Sequence, residues 1–174
     1  MERKLNRLKD YDYSQAGAYF VTICTYDKIC YFGDIENEIM QLNEYGEIAA
    51  NAWKEILNHY NDIGLDEFII MPNHVHGIIF LFDNDLVTEQ CSVTTGPINK
   101  FRYGKLSKIV KSFKEAVTKQ IRNAFNDTNF GWQRSFYDHI IRDEKGLDKI
   151  REYVHYNPLK WDLEKNEVIN MENV

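Results

Sequence analysis

Two histidines, His74 and His76, have the residue type and the spacing of a metal-binding pair. They flank Val75 in an apolar run typical of a β-strand, where alternate side chains point to the same face of the sheet. Two imidazoles side by side can bind one divalent metal ion. Gly77, the next residue, indicates a place where another backbone or a ligand approaches closely. Surface histidine pairs with this spacing are common, and the spacing alone favours that simpler interpretation.

A tyrosine and an asparagine near the C-terminal end form a second candidate pair. Tyr153 and Asn157 are four residues apart, so they lie on one face if this segment is helical. The carbonyl oxygen of an asparagine side chain is a suitable ligand for a hard metal ion. A tyrosine one turn away can then be directed at a group that the metal polarises. The alternative is an aromatic helix that Asn157 ends before Pro158, and the spacing alone favours this alternative.

Alternation and helical periodicity predict four strands and three helices to hold these residues. The strands are predicted at 18–25, 65–71, 74–82 and 136–142, and the helices at 43–59, 106–125 and 145–155. The first six elements have the order βαββαβ, which is the plan of a ferredoxin-like antiparallel sheet in the α+β class. The added C-terminal helix carries Tyr153 and is predicted to end near Asn157, because the residue before a proline disfavours the helical conformation.

The charge of the chain is divided unevenly. The chain carries −6 overall, which taken alone argues against a partner as acidic as nucleic acid. Between Lys100 and Arg122, however, eight basic residues are opposed only by Glu115, so this segment carries +7 and the remainder −13. The pattern predicts a basic helix face that binds DNA phosphates, with a solvated helix face as the alternative. The predicted DNA-binding residues are Lys100, Arg102, Lys105, Lys108, Lys111, Lys119 and Arg122.

The composition argues against several classes of protein. With 174 residues, the chain has the size of one domain that buries its own core. It has no apolar stretch long enough for a membrane span and no apolar signal core near Met1, so we expect a cytoplasmic protein with no membrane partner. Cys24, Cys30 and Cys91 form no paired motif, which argues against a disulfide framework and against a thiolate zinc site.

Three segments, in order, resemble the single-tyrosine transposases of the HUH superfamily, named for a histidine–hydrophobic–histidine motif. That motif is matched by residues 72–76. Residues 132–142 and 153–160 are similar to the later part of the REP-associated tyrosine transposases, a branch of the superfamily. The resemblance extends from Tyr19 to Trp161, which is nearly the whole chain.

The resemblance implies a role for each residue of the two candidate pairs. It implies that His74, His76 and Asn157 hold one Mg²⁺ or Mn²⁺ ion and that Tyr153 is the nucleophile. Tyr137, a second tyrosine in a strand-like segment, matches no catalytic residue of the family, and we interpret it as structural or DNA-facing. The resemblance assigns no general base.

The implied function is metal-dependent cleavage and strand transfer of single-stranded DNA through a 5′-phosphotyrosine intermediate, as in DNA transposition. Single-stranded or hairpin DNA is the implied partner, and it stays open whether the chain acts alone or as a homodimer. Two alternatives also stay open: a replication or mobilisation nickase of the same superfamily, and a non-catalytic DNA-binding module with the same fold. We expect a basic, polar arm at residues 1–16, a catalytic domain at 17–162 and an acidic tail at 163–174.

Overall fold

The computed structural model describes residues 15–83 and 104–172. Most of the segment between the predicted strand at 74–82 and the predicted helix at 106–125 lies outside these residues, as does most of the N-terminal arm. The strands are β1 (Gly17–Cys24), β2 (Gly33–Glu36), β3 (Ile39–Leu42), β4 (Ile63–Met71), β5 (His74–Leu81) and β6 (Tyr137–Ile141). The helices are α1 (Glu44–Lys54), α2 (Ile56–His59), α3 (Lys105–Phe125), α4 (Glu144–His155) and α5 (Asn157–Glu172), and a 3-10 turn spans Tyr26–Lys28.

Four strands form one antiparallel sheet in the order β4-β5-β1-β6. The hairpin of β4 and β5 supplies one edge, and β1 lies between β5 and β6. This arrangement confirms the predicted ferredoxin-like plan and the α+β class. The predicted strands agree with the observed ones to within two residues at each end. The hairpin of β2 and β3 forms a separate two-stranded sheet that the prediction did not include.

Helices α1 and α3 cover one face of the main sheet. The core on this side joins Tyr19, Val21 and Ile23 of β1 to the apolar side of α3, which includes Phe113 and Val117. These β1 residues alternate along the strand, as one face of a pleated sheet requires. The predicted periodicity of α3 is therefore confirmed, and its lysine-rich side is left to face away from this core.

The opposite face of the sheet carries the histidines and is covered in part by α4. Val75 belongs to the core beneath α1 and α3, so its neighbours His74 and His76 point to the other side. Ile78 and Val154 are buried without belonging to that core, which shows a second, smaller apolar layer where α4 crosses the sheet. The sheet thus separates the histidines from α3.

The indole ring of Trp53 leaves no room for a side chain at position 77, which is occupied by glycine. A Cβ atom at this position would collide with the side chain of Trp53, which α1 presses against the centre of β5. The predicted close approach at Gly77 is confirmed, but the approaching group belongs to the core and is neither a backbone nor a ligand. A substitution here would displace Trp53, which is fully buried and packs edge-on against Phe113.

The C-terminal part of the chain contains a helix that the prediction missed. Helix α4 ends at His155, close to the predicted boundary, and α5 begins at once and extends to Glu172. Pro158 is the second residue of α5, where the missing N–H costs nothing because it has no partner inside the helix. The predicted acidic tail at 163–174 is therefore helical for most of its length. Among the described residues, no helix is long and apolar enough to cross a membrane.

Candidate active site

The two histidine rings meet through their outer nitrogens. His74 Nε2 and His76 Nε2 are 3.0 Å apart. On the inner side of each ring, His74 Nδ1 lies 2.8 Å from Asn73 Oδ1, and His76 Nδ1 lies 2.9 Å from Thr22 Oγ1. The amide of Asn73 is oriented by its own Nδ2, which donates to the Lys28 carbonyl at 3.0 Å. Its oxygen therefore faces His74, and His74 Nδ1–H donates to it.

Two arrangements of protons satisfy these distances. In the first, the Thr22 hydroxyl donates to His76 Nδ1, and His76 Nε2–H donates to His74 Nε2. In the second, His76 Nδ1–H donates to Thr22 Oγ1, and both Nε2 atoms present lone pairs to the space between the rings. The second arrangement is the one that binds a metal, because an imidazole ligates through an unprotonated nitrogen.

Burial keeps both rings neutral. It lowers the pKa of His74 to about 4, with a smaller contribution from the charge of Lys28. It lowers the pKa of His76 to about 3, with a smaller contribution from His74. Neutral imidazoles at pH 7 are free to act as ligands without first losing a proton.

The separation of the histidines suits an octahedral ion. Nitrogens at adjacent corners of an octahedron with bonds of about 2.1 Å, the length typical of Mg²⁺, are about 3.0 Å apart. The observed Nε2–Nε2 distance of 3.0 Å has this value. The donor set therefore fits a small divalent cation shared by the two rings. Among the described residues, no third histidine, cysteine or carboxylate joins the pair.

Tyr153 lies against the histidine pair. Its ring centroid is 5.4 Å from that of His76 and 6.0 Å from that of Phe20, and the side chain is 41% exposed. The ring is thus packed on one side and open to solvent on the other. Lys160 Nζ lies 5.7 Å from the ring centroid, which places a positive charge beside the predicted nucleophile.

Asn157 lies on the helix face that is turned towards the histidines. It is the first residue of α5 and is only 6% exposed. Tyr153 precedes it by four residues and contacts His76, and Trp161 follows it by four and contacts His74 at 5.9 Å between ring centroids. Helical hydrogen bonding continues across the junction of the two helices. The structure therefore brings His74, His76 and Tyr153 together, and it places Asn157 between Tyr153 and Trp161, the two residues of this segment that contact the histidines.

The predicted DNA-binding lysines are located elsewhere. Lys100 and Arg102 lie outside the described residues. Lys105 forms an ion pair with the Asp62 carboxylate and donates to the Asp62 carbonyl at 2.9 Å, so it ties α3 to the strand edge. The remaining predicted residues are exposed on α3, which covers the sheet face opposite the histidines; they are Lys108, Lys111, Lys119 and Arg122.

Sequence reasoning missed four residues that complete the site: Phe20, Thr22, Lys160 and Trp161. The first two occupy alternate positions of β1, and their contact with His76 depends on the pairing of Thr22 with His76 across the sheet. That register is not readable from the chain. Trp161 had a readable signal, since it follows Asn157 at helical spacing, but it became visible only once α5 was known. Tyr137 is paired with Thr22 on the other side of β1 and is half-exposed.

Comparisons with known proteins give relatives over most of the chain, although no protein-family model matches it. The chain is 40% identical over 169 residues to an uncharacterized protein of Haemophilus influenzae, covering 94% of this chain and 92% of that protein. It is 27% identical over 150 residues to the "Putative REP-associated tyrosine transposase" of the same organism, covering 86% of this chain and 74% of that protein.

A solved structure shares the fold. It is a REP-associated tyrosine transposase bound to a REP hairpin, and it matches with a TM-score of 0.53 and 17% identity, covering 88% of this chain and 73% of that one. The sequence match and the shared fold agree with the motifs at 72–76 and 153–160, and they indicate a DNA-processing protein of the transposase type. These relatives support the similarity of the chain to the REP-associated tyrosine transposases, a branch of the HUH single-tyrosine superfamily.

Proposed function

We propose that the chain cleaves and rejoins single-stranded DNA in a metal-dependent reaction in which Tyr153 is the nucleophile. The observation that carries the proposal is the convergence of the two histidine Nε2 atoms at 3.0 Å beneath the ring of Tyr153. A pair of surface histidines would be exposed and charged at moderately acid pH, whereas His76 is buried, His74 is half-buried, and both rings are neutral and held from behind by Asn73 and Thr22.

The residues fit a divalent cation. His74 and His76 would hold it through Nε2, and Asn157 through its side-chain oxygen. A bound Mg²⁺ or Mn²⁺ would offset the negative charge that develops on the phosphate oxygens during attack. All three ligands are neutral, so the protein itself does not cancel the charge of the ion. With three neutral ligands, affinity for the ion should be weak until a DNA phosphate is present.

Tyr153 supplies the covalent step. Its phenolic oxygen attacks the phosphorus, the bond from phosphorus to the 3′-oxygen breaks, and a 5′-phosphotyrosine and a free 3′-hydroxyl result. The phenolic proton leaves to solvent, which reaches the open side of the ring, and the departing 3′-oxygen takes up a proton. Because the new bond is still a phosphodiester, attack by another 3′-hydroxyl rejoins a strand without an energy source.

The proposed substrate is a hairpin with a single-stranded flank. The solved relative was bound to a REP hairpin, and the family relationship extends that class of substrate to this chain as a proposal. A hairpin presents its stem as a shape to be held and its flank as a strand free to enter the site. A chain that binds hairpins yet forms no covalent product would instead be a non-catalytic DNA-binding module.

The test is covalent capture of a hairpin oligonucleotide labelled on the 3′ side of the cut. Wild-type protein with Mg²⁺ or Mn²⁺ should give a protein-linked band on a denaturing gel, and a chelator should remove it. Tyr153→Phe keeps the ring and its packing but lacks the attacking oxygen, so the band should vanish while DNA binding stays near wild type.

Two tyrosines serve as matched controls for this experiment. Tyr137→Phe and Tyr156→Phe each remove one exposed hydroxyl near the site and should keep the band. Persistence of the band in Tyr153→Phe would sink the assignment. Its loss in Tyr137→Phe alone would move the nucleophile to β6.

A further inference from the structure

An open groove lies next to Tyr153, on the side away from the histidines. It has a volume of about 370 Å³ and is lined by Lys149, Glu152, Tyr153, Tyr156 and Lys160. One wall is the ring of Tyr153, whose far side contacts His76. Whatever occupies this groove therefore lies beside the nucleophile and just outside the candidate metal site.

The charges of the groove favour an anion. Lys149 and Lys160 are both exposed, and Glu152 is the one acid among the lining residues. Lys160 is loosely tied to Glu164 at 3.8 Å, but both side chains are more than half exposed, so this contact is easily exchanged for another. The two ammonium groups can thus both turn towards a phosphate.

The groove also offers an aromatic surface. Tyr156 is 53% exposed, at the turn that separates α4 from α5, and the His155 ring stands edge-on to it at 5.0 Å. That contact steadies the ring and leaves solvent on its open side. Exposed aromatic rings beside cations are the combination with which proteins hold single-stranded nucleic acid.

We propose that this groove binds the nucleotide that flanks the scissile phosphate, with its phosphate between Lys149 and Lys160 and its base stacked on Tyr156. The inference rests on the proposed function, because it is the nucleophile that defines which phosphate is scissile. The volume lies at the lower end of the range for small-ligand sites and has room for one nucleotide.

The groove differs from the basic side of α3 in its position. The α3 lysines lie beyond the sheet from the histidines, whereas Lys160 contacts the ring of Tyr153 itself. A strand that occupies the groove lies beside Tyr153, so the groove lysines would act on the bound DNA at the cleavage point. Glu152 opposes this attraction, and Glu152→Gln should therefore strengthen binding.

The test measures binding in the presence of a chelator, so that no cleavage occurs. The probes are hairpin oligonucleotides with 2-aminopurine at single positions on either side of the cut. Stacking on Tyr156 should quench the fluorescence at one flanking position. Tyr156→Ala should abolish the quenching and weaken binding about tenfold, the size of one lost base–aromatic contact, whereas Tyr156→Phe should behave as wild type.

The lysines have their own readout and control. The logarithm of DNA affinity falls with the logarithm of salt concentration. Lys149→Ala should reduce the steepness of this fall by about 0.7, the value of one phosphate contact on a single strand. Lys145→Ala, an equally exposed lysine of α4 outside the groove, should leave the slope unchanged. Substituting these exposed lysines should affect folding little. The comparison of salt dependence between Lys149→Ala and Lys145→Ala therefore tests the groove even if Tyr156→Ala proves unstable.

The outcomes separate this inference from the proposed chemistry. Suppose that the wild-type protein forms the adduct, and that Tyr156→Ala and Lys149→Ala keep the wild-type rate, quenching and DNA affinity. That result would overturn the role of the groove and leave the covalent chemistry standing. Loss of quenching in Tyr156→Ala, together with a wild-type protein that forms no adduct, supports the groove as a nucleotide site and overturns the covalent chemistry.

Discussion

At the residue scale, the partners of the histidine Nδ1 atoms decide what their Nε2 atoms can do. Asn73 Oδ1 accepts from His74 Nδ1–H and so leaves His74 Nε2 unprotonated. Thr22 Oγ1 is able to accept from His76 in the same way, but a hydroxyl can also donate. The tautomer of His76 that would leave its Nε2 free for the proposed metal therefore depends on Thr22, and a bound cation would favour that tautomer.

The corresponding prediction concerns Thr22→Val, which keeps the shape of the side chain and removes the acceptor. We expect affinity for Mn²⁺ in the presence of hairpin DNA to fall roughly tenfold or more, as for other lost partners of metal-ligating histidines. The measurement is a Mn²⁺ titration followed by electron paramagnetic resonance. Thr118→Val on α3, whose hydroxyl donates to the Lys114 carbonyl, is the matched control. Equal affinity in the two variants would contradict the role of Thr22.

A second residue-scale prediction concerns the ligands themselves. His74→Ala/His76→Ala should abolish Mn²⁺ binding, because the remaining proposed protein ligand, Asn157, is one neutral oxygen. Calorimetry with Mn²⁺ and an uncleavable hairpin measures it. Asn157→Ala should weaken the binding but not remove it, since the imidazole pair is intact. Undiminished binding in the double variant would refute the site.

At the scale of elements, the position of Tyr153 depends on how α4 is fixed to the sheet. Arg151 donates to Asp66 of β4 through Nε at 3.1 Å and Nη2 at 2.6 Å, a two-pronged contact that fixes direction as well as distance. Tyr153 is two residues further along α4. We therefore expect that loosening this contact would move Tyr153, the proposed nucleophile, relative to the histidines without altering either.

Asp66→Asn tests that attachment. The fork with Arg151 lowers the pKa of the Asp66 carboxyl below its ordinary value of 3.8. A lowered pKa means that the carboxylate stabilises the fold above pH 3.8 and that this contribution is lost as pH falls through the folded value. The unfolding free energy of the wild type should thus exceed that of Asp66→Asn by a constant amount near pH 7, and this difference should shrink below about pH 4. At pH 7, adduct formation in Asp66→Asn should slow by up to about 10²-fold with little change in DNA affinity.

The elements also show how far the sequence alone could lead. Periodicity predicted the four main strands and α3, because apolar faces repeat in the chain itself. It did not predict α5, since Pro158 is as compatible with starting a helix as with ending one. It also missed the contact of Thr22 with His76, and the ion pair of Lys105 with Asp62, because both join segments far apart in sequence. The candidate site was predicted through its motifs, and its supporting contacts required the register of the sheet.

At the scale of the whole molecule, the sheet divides the described part of the chain into two sides. His74, His76 and Tyr153 lie on one side, with the groove beside them. Helices α1 and α3 fill the other side, and the basic surface of α3 points outward from it. The acidic balance of the chain outside the +7 segment makes this separation significant, because DNA is attracted only where cations are exposed together.

Binding of DNA to the α3 side of the sheet can be tested separately from binding to the histidine side. If α3 guides the hairpin or its flank around the edge of the sheet, Lys108→Ala/Lys111→Ala should weaken binding to every sequence alike. If the lost contacts are to single-stranded DNA, the double variant should reduce the steepness of the salt dependence of binding by about 1.4, or about 0.7 for each phosphate. Lys54→Ala/Lys145→Ala removes the same charge at exposed positions of α1 and α4 and serves as the control. A slope that is equal in the two double variants and in wild type would show that α3 is only a solvated helix face. Of the two surfaces, DNA would then be held on the histidine side, where Lys149 and Lys160 lie beside Tyr153.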